Sequence, residues 1–340
     1  MRTIYDETIA QLTDWLAQRG QKSYRAKQIY AWLYRKQVSS FDEMSDLPAA
    51  LIEQLKAEFY IDPVHLVDKQ VARDLTAKYL FEMKDGSTVE AVLMHFSFGE
   101  SVCVSSQVGC NMGCSFCAST IGGRIRSLES WEMLEEVVVC VRESGEPINH
   151  IVLMGMGEPF DNYEAVAGFL RTVHDPQGLG LSYRNITLST CGLVPGIRRF
   201  GEEFPQVNLA ISLHASNQQA REKLMPVAKA YPLPELMRAC RDHAEKTGRR
   251  VTFEFALIEG QNDTPHTAKE LADLLRGMLC HVNLIPLNPV TETGMTGSSR
   301  KAAAHFRDML ESMGIPATVR RQLGADIDAA CGQLRKKVTS

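Results

Sequence analysis

The sequence predicts an α/β protein, a full or partial (β/α)6 barrel preceded by a helical module and a short β segment. Two observations predict the barrel. Apolar, β-rich runs recur after residue 100: SVCVSSQ, HIVLMGM, NITLST, VNLAISLH, VTFEFALI, HVNLIPLN and ATVRRQL. Stretches of helical period separate them, among them SWEMLEEVVVCVRE, NYEAVAGFLRTVH, LPELMRACRDHAEKTG and TAKELADLLRGM. Such alternation implies a parallel sheet covered by helices. Six or so units without a dinucleotide fingerprint favour a barrel over an open doubly wound sheet.

In chain order, Ala26, Ile29, Tyr30 and Leu33 recur at i, i+3, i+4, i+7, the mark of an amphipathic helix. Asp46 or Pro48 then opens a second helix through LPAALIEQLKAEF. From about residue 61 the texture turns to alternation. LTAKYLFEM and TVEAVLMHF flank KDGS, a hairpin signal centred on Asp85 and Gly86. The expected organisation is a helical accessory domain over 1–60, a β-hairpin segment over 61–98 and a catalytic barrel over 99–340 that ends in a cysteine-bearing loop.

Composition narrows the function classes. Hydrophobic residues make up 44% of the 340 and charged residues 23%, ordinary for a globular protein. No apolar run approaches the roughly 18 residues of a membrane span, and the N-terminus lacks the apolar stretch of a secretory signal. A cytoplasmic protein is expected. The nine cysteines are an odd number, which argues against a full disulfide framework. A net charge of -4 makes no global case for nucleic acid. The local basic pairs (Arg124 with Arg126, Arg198-Arg199, Arg249-Arg250, Arg320-Arg321, and Arg335 to Lys337) read as solvated surface.

The chemistry starts at the first barrel strand end, GCNMGCSFCAST. Cys110, Cys114 and Cys117 stand there in C-x3-C-x2-C spacing. A structural zinc site needs a fourth ligand and commonly uses paired C-x2-C units. Three cysteines on one loop suit a [4Fe-4S] cluster with one iron left without a protein ligand. Gly109 and Gly113 let the backbone wrap the cluster, and Phe116 shields it from water. Zinc is the alternative.

Later strand ends carry polar residues in series. GMGEP offers Gly155, Gly157 and Glu158, a carboxylate able to accept from an ammonium group. Ser189, then Ser212 and His214 with Leu213 between them, then Asn288 follow. Singly, each is an ordinary hydrogen-bonded strand-end residue. Together they offer a ligand the donors and acceptors it needs.

The C-x3-C-x2-C loop resembles that of the radical S-adenosylmethionine (SAM) superfamily. CVSSQVGCNMGCSFCAST, GMGEP, LSTCG, SLHA, IPLNP and DIDAACGQL, in this order, resemble the RlmN and Cfr family of RNA adenine methyltransferases. FDEMSDLP fits as well, so the resemblance spans nearly the whole chain. It implies a partial (β/α)6 radical SAM barrel, a [4Fe-4S] cluster on Cys110, Cys114 and Cys117, and SAM used twice per turnover. It places SAM contacts at Gly157, Glu158, Ser189, Ser212, Leu213, His214 and Asn288. It also makes Cys331 the carrier of a methyl group. A hydrogen is abstracted from that methyl, the methylene radical adds to an adenine carbon, and Cys103 resolves the adduct by forming a disulfide with Cys331. Glu90 matches the proposed proton acceptor, though Cys103 is an alternative for that step. Cys140, Cys191, Cys240 and Cys280 read as structural. Cys191 departs from the family's usual serine and adds a thiol near the SAM pocket.

Pro159 in GMGEP and the GQLRKK ending favour the RlmN branch, which methylates C2, over the Cfr branch, which methylates C8. The implied targets are adenosine 2503 of 23S rRNA, in the peptidyl-transferase centre, and adenosine 37 of tRNAs. The electron donor would be of the flavodoxin and flavodoxin reductase kind, and the protein a monomer with no membrane partner. Lys22, Arg25, Lys27, Arg35 and Lys36 make the N-terminal module a candidate RNA contact. Two other readings remain: a peptide-modifying radical SAM enzyme with an auxiliary cluster, and a non-catalytic iron-sulfur RNA-binding protein.

Overall fold

Ala26, Ile29, Tyr30 and Leu33 are all buried, as their spacing predicts. In the computed structural model, which describes residues 1–61 and 64–334, they lie on helix α2 (Tyr24–Tyr30) and the π-helical turn continuing it, Ala31–Arg35. Helix α1 (Ile9–Ala17) precedes them. It starts at a capping box in which Thr8 and Gln11 satisfy each other's backbone amides. Helix α3 (Ala49–Glu58) opens after Pro48, whose ring suits the edge of a helix start. This module shares one continuous apolar core with the rest of the chain: Ile4, Leu16 and Leu33 belong to the same buried cluster as Val137, Phe253 and Phe306.

Among the described residues ten strands form one mixed sheet, in spatial order identical to their order along the chain. The first four are β1 (His65–Val71), β2 (Ala77–Glu82), β3 (Thr88–Phe96) and β4 (Gly99–Cys103), paired antiparallel. Gly86 turns the β2–β3 hairpin at φ 80°. The remaining strands run parallel to β4 and to each other: β5 (Ile148–Leu153), β6 (Ile186–Thr190), β7 (Asn208–Ser212), β8 (Val251–Leu257), β9 (Cys280–Pro286) and β10 (Ala317–Val319). Among the described residues β1 and β10, the outermost strands, do not pair with one another.

Helices link the parallel strands: α4 (Ser130–Ser144), α5 (Tyr163–His174), α6 (Val194–Glu203), α7 (Gln218–Leu224) with α8 (Leu233–Thr247), α9 (Pro265–Leu275) and α10 (Arg300–Ser312). Six strand–helix units therefore run from β4 to β10. Val137, Phe169, Phe200, Leu236, Leu271 and Phe306, one from each connection, are fully or almost fully buried. No helix among the described residues is long and apolar enough to cross a membrane.

The basic pairs divide. Arg124 pairs with Asp161, Arg126 with Asp85 and Glu132, and Arg199 with Glu164 and Glu203. Arg321 is exposed as expected and Arg320 is half-buried, and both line a large cavity. The basic run Arg335 to Lys337 lies outside the described residues.

Candidate active site

The C-terminal ends of the parallel strands converge on two neighbouring cavities. The smaller encloses about 1000 Å³ of atom-free space, part of it open to solvent. Cys110, Cys114 and Cys117 line it, together with Gly157, Glu158, Ser189, Ser212, His214, Asn288 and Cys331. The larger, about 2100 Å³ by the same measure, is lined by Cys103, Asn288 and Cys331 along with Phe96, Arg300, Arg307, Arg320 and Arg321. Cys331 and Asn288 thus stand where the two cavities meet.

The cysteine loop is shaped by tight turns. Gly109 has φ 76°, and a Cβ there would lie 2.1 Å from the carbonyl oxygen of Gly123. Only glycine permits that approach. Burial drives all three loop thiols upward, Cys110 to about 12, so they need a strong Lewis acid to ionise. Among the described residues no three His, Cys, Asp or Glu side chains converge on a point that one ion could fill. The thiols line a shared wall instead. A donor set of three thiols facing a cavity of this size fits a [4Fe-4S] cluster with SAM beside it.

Glu158 is buried, with Oε2 accepting from the Cys191 amide at 2.7 Å and Oε1 from the Phe160 amide at 3.1 Å. Burial raises its pKa, and these hydrogen bonds oppose the rise. Its own amide donates to Gln107 Oε1 at 2.9 Å. The chain reaches this point through Gly157 at φ 107°, where a Cβ would stand 2.7 Å from the Gln107 side chain.

His214 occupies left-handed backbone at φ 56°, a strained setting for a side-chain-bearing residue. Several hydrogen bonds hold it. Asn262 Nδ2 donates to its carbonyl at 3.1 Å, and the Ala256 amide donates to its Nδ1 at 2.9 Å. Burial, and then Arg221, push its pKa down to about 3, so the ring is neutral with its proton on Nε2. Phe116 packs edge-on against the ring at 4.8 Å. Leu213 differs from its neighbours. Its side chain is buried in the core, and its amide donates to the Glu254 carbonyl at 3.0 Å.

Residues 331–334 are tied down by hydrogen bonds. Gly332 O accepts from the Ala118 amide at 2.7 Å, and Leu334 O from Ser119 Oγ at 2.7 Å. Asn288 Nδ2 donates to Cys331 O at 3.1 Å, and Gln333 Nε2 to Pro289 O at 2.9 Å. The terminal cysteine loop is therefore stitched to the residues that directly follow Cys117.

Cys103, at the end of β4, is buried, and burial followed by the charge of Cys331 pushes its thiol well up. Arg320, the first residue after β10, lines both cavities with Cys331. The charge of Cys331, and then those of Glu254 and Cys103, hold its guanidinium protonated. Glu254 accepts from Asn283 Nδ2 at 2.9 Å. Glu90 lies elsewhere. It pairs with buried Lys78 at 3.4 Å and lines a third cavity with Asp328 and Gln333, behind the cysteine loop.

Sequence reasoning passed over Glu254 and Arg320. Each had a signal: Glu254 is a lone acid in the apolar run VTFEFALI, and Arg320 directly follows a strand.

Residues 3–61 match the family described as ribosomal RNA large subunit methyltransferase N-terminal domain, and residues 104–275 match the radical SAM superfamily. A relative from a Thermoanaerobacter species, described as a probable dual-specificity RNA methyltransferase RlmN, is 49% identical over 338 residues, covering 99% of this chain and 98% of its own. A Geobacillus kaustophilus protein of the same description is 50% identical over 338 residues, covering 98% and 93%. The crystal structure of a radical SAM methyltransferase from Sphaerobacter thermophilus superposes with a TM-score of 0.95 at 47% identity, over 98% of this chain and 99% of that one.

Proposed function

The chain belongs to the radical SAM superfamily and, within it, to the RlmN family of RNA methyltransferases, and from that premise we propose that it methylates C2 of adenosine 2503 in 23S rRNA and of adenosine 37 in tRNAs. The observation that carries this reading is the position of Cys331, whose loop borders both cavities. The smaller cavity would hold the cluster on Cys110, Cys114 and Cys117, with SAM against Gly157, Glu158, Ser189, Ser212, His214 and Asn288. Bound there, cluster and SAM supply a methyl group and a hydrogen-abstracting radical, two SAM per turnover.

The larger cavity takes the adenine. Arg300, Arg307 and Arg321 offer charge to phosphates, and Phe96 offers a face for a base. The base must leave its stack to enter, at a cost of about a few kcal/mol. Adenine C2 is not a nucleophile, so the protein works by a covalent detour. Cys331 carries the methyl, which after hydrogen abstraction bonds to C2 and tethers the RNA. Glu90 is the proposed acceptor of the C2 proton. Cys103 would then bond to the sulfur of Cys331 as the sulfur–carbon bond breaks; the freed carbon takes a proton to become the methyl, the one surplus electron passes to the bound cluster, and the disulfide is left for a flavodoxin-type reductant to reset. The basic residues of 1–60 extend the RNA contact: Lys22, Lys27, Arg35 and Lys36 are exposed.

The test is direct. Anaerobically reconstituted protein given SAM should carry one methyl on the Cys331 peptide by mass spectrometry, and incubation with rRNA and tRNA should yield 2-methyladenosine. Full RNA methylation by a Cys331→Ala variant would sink the mechanism. Finding 8-methyladenosine would transfer the chain to the Cfr type of regiochemistry.

A further inference from the structure

Arg221, on α7, is fully buried, and among the described residues its charge has no carboxylate partner. One nitrogen, Nη2, donates to the carbonyls of Cys191 at 2.6 Å and Ser212 at 3.2 Å. Nε and Nη1 are buried with no protein acceptor among the described residues. The ionisable side chains within its electrostatic reach are the neutral His214 ring and the thiols of Cys191, Cys114 and Cys240, none of them a carboxylate. A buried guanidinium left in this state is costly, and natural interiors pair such charges.

The helix that carries Arg221 is docked on the cysteine loop. Leu224, one turn further on, accepts from the Ser115 amide at 2.9 Å. Leu224 and Met225 pack with Phe116 and Cys191, and Cys114 and Cys117 pack against that group. The uncompensated cation is therefore fixed behind the thiols assigned to the cluster. A [4Fe-4S] core of charge 2+ with three thiolates is a net anion, and reduction adds a further negative charge. A fixed cation in a dry setting stabilises the reduced form more than the oxidised form.

We propose that Arg221 is the built-in counter-charge of the iron-sulfur cluster, a positioning residue that holds the cluster's reduction potential up without touching SAM or RNA. The proposal rests on the assignment of the cluster to Cys110, Cys114 and Cys117.

The full chain, reconstituted with iron and sulfide, would be titrated anaerobically with the reduced cluster followed by electron paramagnetic resonance. Arg221→Met and Arg221→Gln should lower the one-electron reduction constant at least about tenfold, equivalent to ~59 mV, with Arg221→Lys staying within about threefold of the parent. In the cluster-free chain the Met variant should be as resistant to urea as the parent or more so, because it removes an unpaired buried charge. Potentials of the neutral variants equal to the parent's would overturn the proposal. So would a cluster-free Met or Gln variant that fails to fold, since Arg221 would then serve the fold without the cluster. A parent chain that holds no four-iron cluster would instead refute the cluster assignment, and this proposal with it.

Discussion

Asn288 Nδ2 donates to the carbonyl oxygen of Cys331 at 3.1 Å, while its Oδ1 accepts from Gln322 Nε2 at 3.2 Å. Both ends of this amide are thus committed to holding the terminal loop against the segments after β9 and β10. By family resemblance Asn288 is a SAM contact; here its geometry also makes it a clamp on the cysteine that faces both cavities. Removing a hydrogen bond of this kind costs about 1 kcal/mol. Asn288→Ala should therefore loosen the loop and speed alkylation of Cys331 by a small thiol reagent about fivefold, as read by mass spectrometry. It should also lower methyl loading of Cys331. Unchanged alkylation would show that the loop is held by its other bonds alone.

The relationship between Asn288 and Cys331 marks where the sequence was legible and where it stopped. Period and alternation are local, so Ala26 to Leu33, the Asp85-Gly86 turn and all seven parallel strand runs were readable from neighbours along the chain. The cysteine loop was readable because Cys110, Cys114 and Cys117 lie within eight residues of one another. The division of the site into two cavities was not, because it depends on Cys331 docking beside Ala118, more than 200 positions away. Arg221 gave no signal, since a basic residue in QQAREKL reads as an exposed helix face until its surroundings are known. Glu90 was readable as a member of a motif, but its ion pair with Lys78 depends on strand register.

His243, on α8, provides a pH-dependent prediction outside the site. The ring is buried, and a Cβ at Gly201 of α6 would lie 2.9 Å from its Nδ1, so the two helices meet closely there. Burial, and then Arg249, push its pKa down to about 4. In the unfolded chain an ordinary histidine titrates near 6.5. The unfolded state therefore binds a proton first as pH falls. The contribution is full above about pH 6.5 and is lost as pH drops towards 4, on the order of 2 kcal/mol by pH 5. Urea midpoints of the cluster-free chain at pH 7.5 and pH 5 should differ less for His243→Leu than for the parent. An equal or larger difference would contradict the assignment.

Lys78 and Glu90 form a buried ion pair at 3.4 Å across β2 and β3, with side-chain exposures of 6% and 1%. Lys78 Nζ also donates to Asp328 O at 3.4 Å, so the pair touches the loop that leads to Cys331. Breaking one side leaves a buried charge unmatched, which typically costs about 3–5 kcal/mol, whereas replacing both sides by apolar groups is often neutral. Glu90→Gln should therefore destabilise the cluster-free chain to urea by an amount of that order, and Lys78→Met with Glu90→Leu should restore most of it. If Glu90 is also the proton acceptor, the double variant will be stable yet fail to release RNA, leaving a protein–RNA adduct visible on denaturing gels. A stable double variant that turns over normally would reduce Glu90 to a structural partner of Lys78 and leave Cys103 as the base. The two roles thus separate in one variant, because stability depends on the charge balance of the pair and turnover on the carboxylate alone.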